Sequence, residues 1–344
     1  MGAEDDLHAR NGLTEEIVFD DAERLVAFLA SSRLRSSTWV FRGQSNADWP
    51  LESSLERFAR KMAQPRMSES IESHHLHEFR RRASHYTNTR LKDDNLVEWL
   101  GLMRHSGSPS RLLDFSRSPY VAAFFAAEEA TRNDAIAIWA IDARELRYLS
   151  AWVLTGELCV DYANIGKQCI EDPAFSLYEA QVFSHLIGGI SAHSLVPRTG
   201  PIPAVVFPVE PQSMSERMLL QQGLFLFPTS LECGFQRCLS SVLTYASRWI
   251  EEGTPRVRVF RNSGGVRVSG DYIPKKRTLL YKLILKPSAH PHLLRELHRM
   301  GLSYAFLTPG LDGLARSLIT VSKIRASCMP PGQGPDFDFD ARLY

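Results

Sequence analysis

The stretch Ser118–Arg132 (SPYVAAFFAAEEATR) constrains the fold more than any other part of the chain. Ser118 is suited to accept from the first free backbone N–H groups of a helix, and Pro119 suits the first helical position, where its missing N–H costs nothing. The helix that follows is built from small and aromatic residues, Ala122, Ala123, Phe124, Phe125, Ala126 and Ala127, which mark it as deeply buried. Immediately after it, Ala135–Ile141 (AIAIWAI) is an apolar run short enough to be an interior strand. The expected fold is α/β (α+β): a mixed, partly split β-sheet carrying Arg42, Ser116 and Gln221 and flanked by helices.

The chain can supply such a core. It has 344 residues, 44% apolar and 23% charged, and fractional burial rises with chain length. Lys plus Arg number 40 against 39 acidic residues, a net charge of +1. That balance gives no global draw toward nucleic acid or anionic lipid and leaves only local patches to act. The five cysteines are scattered and odd in number, with no Cys-x-x-Cys pair, and the nearby histidines lack zinc-site spacing. They read as reduced thiols of a cytoplasmic protein. No segment approaches the roughly 20 apolar residues of a membrane span.

Along the chain, residues 1–15 read as a mobile leader and Phe19–Leu34 as an amphipathic helix. Thr38–Gly43 (TWVFRG) is a short strand with Trp39 and Phe41 on one face, Val40 and Arg42 on the other. Met67–Leu91 and Asn95–Arg104 are helical, the second ending at the turn beginning with His105. Arg111–Asp114 is extended. Val160–Gln168 has no clear period, Glu179–Ile187 is helical, and Ala204–Val209 is strand-like despite Pro208. Ser215–Leu226 begins as a helix and ends as a strand, with a further helix around Leu239–Ile250. Thr278–Leu285 is a strand, Ala289–Met300 and Asp312–Val321 are helices, and residues 326–344 form a loosely ordered tail. Arg256, Arg258, Arg261 and Arg267 sit in a loop or basic hairpin that would contact phosphates if the protein binds RNA or DNA.

An arginine inside an apolar strand must be paired or functional, because an unpaired buried charge costs several kcal/mol. Arg42 therefore stands out, and with it the segment His105–Pro119 (HSGSPSRLLDFSRSP) and the segment Arg217–Phe225 (RMLLQQGLF). These resemble the FRG-domain family, named for its Phe-Arg-Gly tripeptide. Its pattern is F-R-G-Q, then H-x-G-x-P-[ST]-R-L-L-D-x-[ST]-x-x-P-x-x-A-x-x-F-A, then R-x-x-x-Q-x-G-x-F. Every position is filled by a permitted residue, and the resemblance extends over about residues 20–325, which implies an FRG domain with helical insertions over 16–325.

A weaker resemblance, to the ADP-ribosyltransferase core, rests on the strand arginine, the Ser-containing turn and the Ala-x-x-Phe helix. It implies NAD as substrate, without a metal. Arg42 would grip its diphosphate, helped by Gln44 and Arg111, and Ser116, or secondarily Ser110, would shape the nicotinamide pocket. Gln221 would lie where the last strand carries its functional group. The acid steadying oxocarbenium charge would be Asp114 or Glu210, with His105 accepting the nucleophile's proton. Gly223 stands where the superfamily's glutamate is expected. The implied activity is transfer to nucleic acid or protein by a toxin or antiphage effector, silenced by a neutralising protein. The alternatives are a non-catalytic module recognising a nucleotide, nucleic acid or phosphorylated ligand, and a hydrolase using His105 and Asp114, for which no metal-ligand spacing is visible. A purely structural pairing of Arg42 with Asp114 competes with all three.

Overall fold

The computed structural model describes residues 12–64, 68–86, 91, 96–131, 133–158, 204–211, 214–252, 257–262, 265–270 and 277–327. Nine strands are present among them: β1 (Thr14–Phe19), β2 (Trp39–Gln44), β3 (Leu113–Ser116), β4 (Ile136–Asp142), β5 (Val206–Val209), β6 (Gly223–Pro228), β7 (Val257–Asn262), β8 (Gly265–Gly270) and β9 (Leu280–Leu285). Seven form one sheet in the order β1-β9-β4-β2-β3-β6-β5, and β7 and β8 pair with each other as a separate hairpin. Within the large sheet β1 and β9 run parallel, and every other pair is antiparallel. The expectation of a mixed sheet flanked by helices is met.

The helices are α1 (Ala22–Leu29), α2 (Ser54–Lys61), α3 (Ser68–Ala83), α4 (Leu96–His105), α5 (Pro119–Glu128), α6 (Ala143–Leu158), α7 (Glu216–Leu220), α8 (Phe235–Glu252), α9 (His290–Arg299), α10 (Tyr304–Leu307) and α11 (Leu311–Ser327). The period-2 alternation of the central strands assigns them to two cores. Val40, Ala137, Trp139 and Ile141 face one core with apolar residues of α3, α4, α6 and α8. Trp39, Phe41, Ile136, Ile138 and Ala140 face the other with residues of α1, α5, α9 and α10. Each central strand is thus covered on both sides, which explains its nearly unbroken apolar sequence.

Two motifs read in the sequence meet in this packing. A Cβ added at Gly43 on β2 would lie 2.0 Å from the carbonyl oxygen of Ala122 and 2.9 Å from the Cβ of Ala126, both on α5. Gly43, Ala122 and Ala126 together let helix and strand approach backbone to backbone, and Phe41 and Phe124 are fully buried beside the contact. Ser118 caps α5 by accepting from the Val121 N–H at 3.3 Å, with Pro119 in the first turn.

The structure departs from the sequence reading in places. Thr14–Phe19 is an edge strand that begins inside the expected leader; its parallel pairing with β9, distant in sequence, leaves no local signal beyond a short, half-polar run. Phe19 closes this strand, so the helix expected from Phe19 starts at Ala22. Helices α2 and α6 have no counterpart in the sequence reading. Val206–Val209 keeps its strand despite Pro208 because β5 lies at the sheet edge, where a missing N–H is tolerated. Residues 1–11, the segments Val160–Gln168 and Glu179–Ile187 and the tail beyond residue 327 lie outside the described residues.

Candidate functional site

The middle of the sheet is where β2 and β3 part. β2 pairs with β4 over six residues and β3 with β6 over four, but β2 and β3 share one register pair, Phe41↔Ser116. Beyond that point Arg42 fills the gap: its Nη1 donates to the carbonyl oxygen of Asp114 at 2.7 Å. A guanidinium here replaces a ladder hydrogen bond and brings charge into the opening.

Asp114 collects more charge. Arg104, in the last turn of α4, donates from Nε to Asp114 Oδ2 at 3.0 Å, and Arg42 Nη1 lies 3.9 Å from the same oxygen. Burial pushes the Asp114 carboxyl up, but Arg104 and Arg42 outweigh it and hold the group below the usual carboxylate range. Burial pulls Arg42 down to about 10, with Arg104 and Arg57 adding to the effect and Asp114 and, less, Glu129 opposing it. Arg42 therefore stays charged at neutral pH. Arg57 belongs to the same cluster: burial lowers it first, then the charge of Arg104, against Glu52 and Asp114.

Arg57 is delivered by α2, whose start is locked by a capping box in which Ser53 accepts from the Glu56 N–H and Glu56 accepts from the Ser53 N–H. Its Nη1 donates to the Glu52 carbonyl at 2.6 Å. The Glu52 carboxylate is engaged by Arg60 and that of Glu56 by backbone N–H groups. Two guanidinium groups, those of Arg42 and Arg104, thus pair with one carboxylate that is itself 45% exposed, Arg57 adds a third positive charge nearby, and the Arg42 Nε is buried without a hydrogen-bond partner. Chemically this is a cluster of positively charged planar donors, a set of groups that suits phosphate oxygens.

Of the residues singled out in the sequence, Arg42 and Asp114 meet here, and Ser116 is adjacent through Phe41. The Ser116 hydroxyl donates to the Gln221 carbonyl at 2.7 Å and accepts from the Ser118 N–H at 3.0 Å, so both its roles are taken by backbone. Gln221 caps α7 just ahead of β6 and donates from Nε2 to the Leu307 carbonyl at 2.9 Å. Gln44 accepts from the Trp139 indole and donates to the Pro50 carbonyl at 2.9 Å, a buried bridge between strand and loop. Ser110 is fully buried, its N–H donating to Ser54 Oγ at 3.1 Å.

Arg111 is not with Arg42. It is buried against Glu72 of α3, with Nε donating to Oε2 at 2.6 Å and the guanidinium 5.0 Å from the Phe227 ring. His105 is exposed at the end of α4. Glu210 pairs with Arg117 at the surface. Gly223 lies directly across from Ser116 on β6, which contributes no carboxylate. Arg258, Arg261 and Arg267 lie on the β7–β8 hairpin, while Arg256 falls outside the described residues.

Arg57 and Arg104 are not among the residues that the sequence motifs single out. A signal existed for each: the Ser53-x-x-Glu56 box announces the helix that carries Arg57, and Arg104 adjoins the motif histidine. Among the described residues no group of three or more His, Cys, Asp or Glu side chains is placed to hold a metal ion, and no helix is long and apolar enough to cross a membrane.

A search of the curated proteins and of the solved structures finds no match to this chain, and nothing there supports the ADP-ribosyltransferase resemblance. One family model does match, and the segment it covers contains Arg42, Arg57, Arg104 and Asp114 together: residues 37–135 match the FRG domain.

Proposed function

We propose that the FRG segment binds the phosphate groups of a nucleotide at the Arg42–Arg57–Arg104 cluster, with NAD as the first candidate. The observation that carries this reading is the charge imbalance. Two of the three guanidinium groups form ion pairs with the same carboxylate, that of Asp114, and among the described residues Arg57 forms no ion pair. An incoming phosphate would neutralise the surplus and offer acceptors in fork geometry. Binding alone is favoured over transfer chemistry, because Ser116 and Gln221 are engaged by backbone partners and β6 offers no acid.

Calorimetric titration with NAD, ADP-ribose, ATP and inorganic phosphate tests the proposal. Saturable binding lost in Arg42→Ala and Arg104→Ala, with no release of nicotinamide from NAD, is the expected result. Absence of binding to all four would refute it.

A second reading, ADP-ribosyl transfer from NAD to a nucleic-acid or protein acceptor, is favoured by the placement of Arg42 and Ser116 on neighbouring strands joined at Phe41↔Ser116. Release of nicotinamide that depends on Arg42 would select it over simple binding.

A further inference from the structure

Outside the arginine cluster, two cysteines lie in contact at the start of α8. Cys233 and Cys238 are five residues apart in sequence, and their Sγ atoms are 3.5 Å apart. Gly234, between them, has φ +77, a backbone turn that glycine adopts without strain and that folds Cys233 back over the first turn of α8. The two thiols differ in environment. Cys238 is fully buried, its thiol 3.5 Å from the Ser230 carbonyl, whereas Cys233 is partly exposed.

We propose that Cys233 and Cys238 form an oxidisable dithiol that reacts with hydroperoxides, Cys233 being oxidised first and Cys238 resolving it to an intramolecular disulfide. A disulfide has its sulfurs about 2.05 Å apart, so the observed 3.5 Å separation must close by about 1.5 Å. Cys233, the thiol nearer the surface, is the one that moves. The hydrogen bond from Cys238 holds the Cys233 thiol below its ordinary range, and Cys238 is pushed up by the same bond and by burial. The exposed sulfur is thus the better nucleophile, and the buried one keeps its proton until it is needed.

The reaction balances without a further co-reactant. The Cys233 thiolate attacks the terminal oxygen of the hydroperoxide; the O–O bond breaks, an alcohol (or water, from hydrogen peroxide) departs, and Cys233 becomes a sulfenic acid. The Cys238 sulfur then attacks the Cys233 sulfur; the S–O bond breaks, the departing hydroxide takes the Cys238 proton as water, and the S–S bond forms. Two thiols and one hydroperoxide yield one disulfide, one alcohol and one water.

The start of α8 touches the helix that carries Arg57, the Phe235 N–H donating to Glu56 Oε1 at 2.9 Å, but the test reads disulfide formation and needs no nucleotide. Full-length reduced protein is treated with hydrogen peroxide, blocked with N-ethylmaleimide and digested without reductant. The peptide bearing Cys233 and Cys238 should carry two labels before oxidation; afterwards it should carry none and be lighter by two hydrogens. Cys238→Ser should stop at a sulfenic acid on Cys233 that dimedone captures, and Cys233→Ser should slow oxidation of Cys238 by about tenfold or more. Melting curves of both variants establish that they are folded. Full labelling of both cysteines after peroxide, linkage of Cys233 to a different cysteine, or unchanged oxidation of Cys238 in Cys233→Ser would overturn the proposal.

Discussion

Arg42 donates to the backbone carbonyl of Asp114 at 2.7 Å just where the β2–β3 ladder ends, so one side chain closes the sheet and charges its opening. Replacing it with alanine orphans a carbonyl and removes a guanidinium at once. Arg42→Ala should lose about 1–3 kcal/mol of stability and weaken phosphate binding at least about tenfold. Arg42→Lys should restore charge but not the fork, and so recover stability only in part. Chemical denaturation and titration of the same preparations separate the two effects.

Asp114 competes with any incoming anion for the three arginines. Asp114→Asn should therefore destabilise the protein while tightening phosphate affinity, the opposite sign to loss of an ordinary ligand-binding residue. The stability loss should be modest, because the carboxylate is 45% exposed and solvent screens its pairs. Titration with phosphate at low and high salt checks the sign and its electrostatic origin.

Two glycines of the family pattern should behave differently on substitution. At Gly43 an added methyl would meet the Ala122 carbonyl at 2.0 Å, so Gly43→Ala should cost about 3 kcal/mol or more by forcing α5 off the sheet. At Gly223 the nearest atom would lie 3.5 Å away, an ordinary contact, and Gly223→Ala should change stability by no more than about 0.5 kcal/mol. Urea midpoints of the two variants provide the comparison.

The Arg111–Glu72 pair is 6% and 4% exposed at its side chains. Glu72→Ala should cost about 3–5 kcal/mol, because it strands a buried charge, whereas the double replacement Glu72→Leu, Arg111→Met should recover much of that loss. In the double variant phosphate binding should be unchanged. Loss of binding there would place Arg111 in the site after all.

His290 supplies a pH dependence. Its ring is buried, with Nε2 3.4 Å from the Leu285 carbonyl, and burial holds it below its ordinary value of 6.5. The folded protein keeps this ring neutral while the unfolded chain protonates as pH falls through 6.5, so the unfolded state gains protons and stability declines. The His290 contribution should be complete above pH 6.5 and shrink as pH falls below it. His290→Gln should flatten the slope of Tm between pH 7 and 5.

Much of this was legible in the chain. The Ser118–Pro119 cap, the buried α5 and the apolar β4 follow from local propensity and period, and the faces of β2 follow from alternation. Helix-then-strand character in Ser215–Leu226 appears as α7 and β6. Arg111 shows where such reading stops: a motif arginine three residues from Asp114 pairs with Glu72, 39 positions away, a partner that only the approach of α3 provides.

Local periodicity is enough to place Arg42 on the same strand face as Val40 and to call for a close-packed helix after the His105–Pro119 segment, because it depends only on neighbouring residues. Tertiary packing alone brings Arg57 and Arg104 to Arg42 around Asp114, engages Ser116 and Gln221 with backbone partners, and closes the far edge of the sheet with Thr14–Phe19 against β9. Those are contacts between segments remote in the chain, set by how helices and strands settle on a shared core, and no local pattern encodes them.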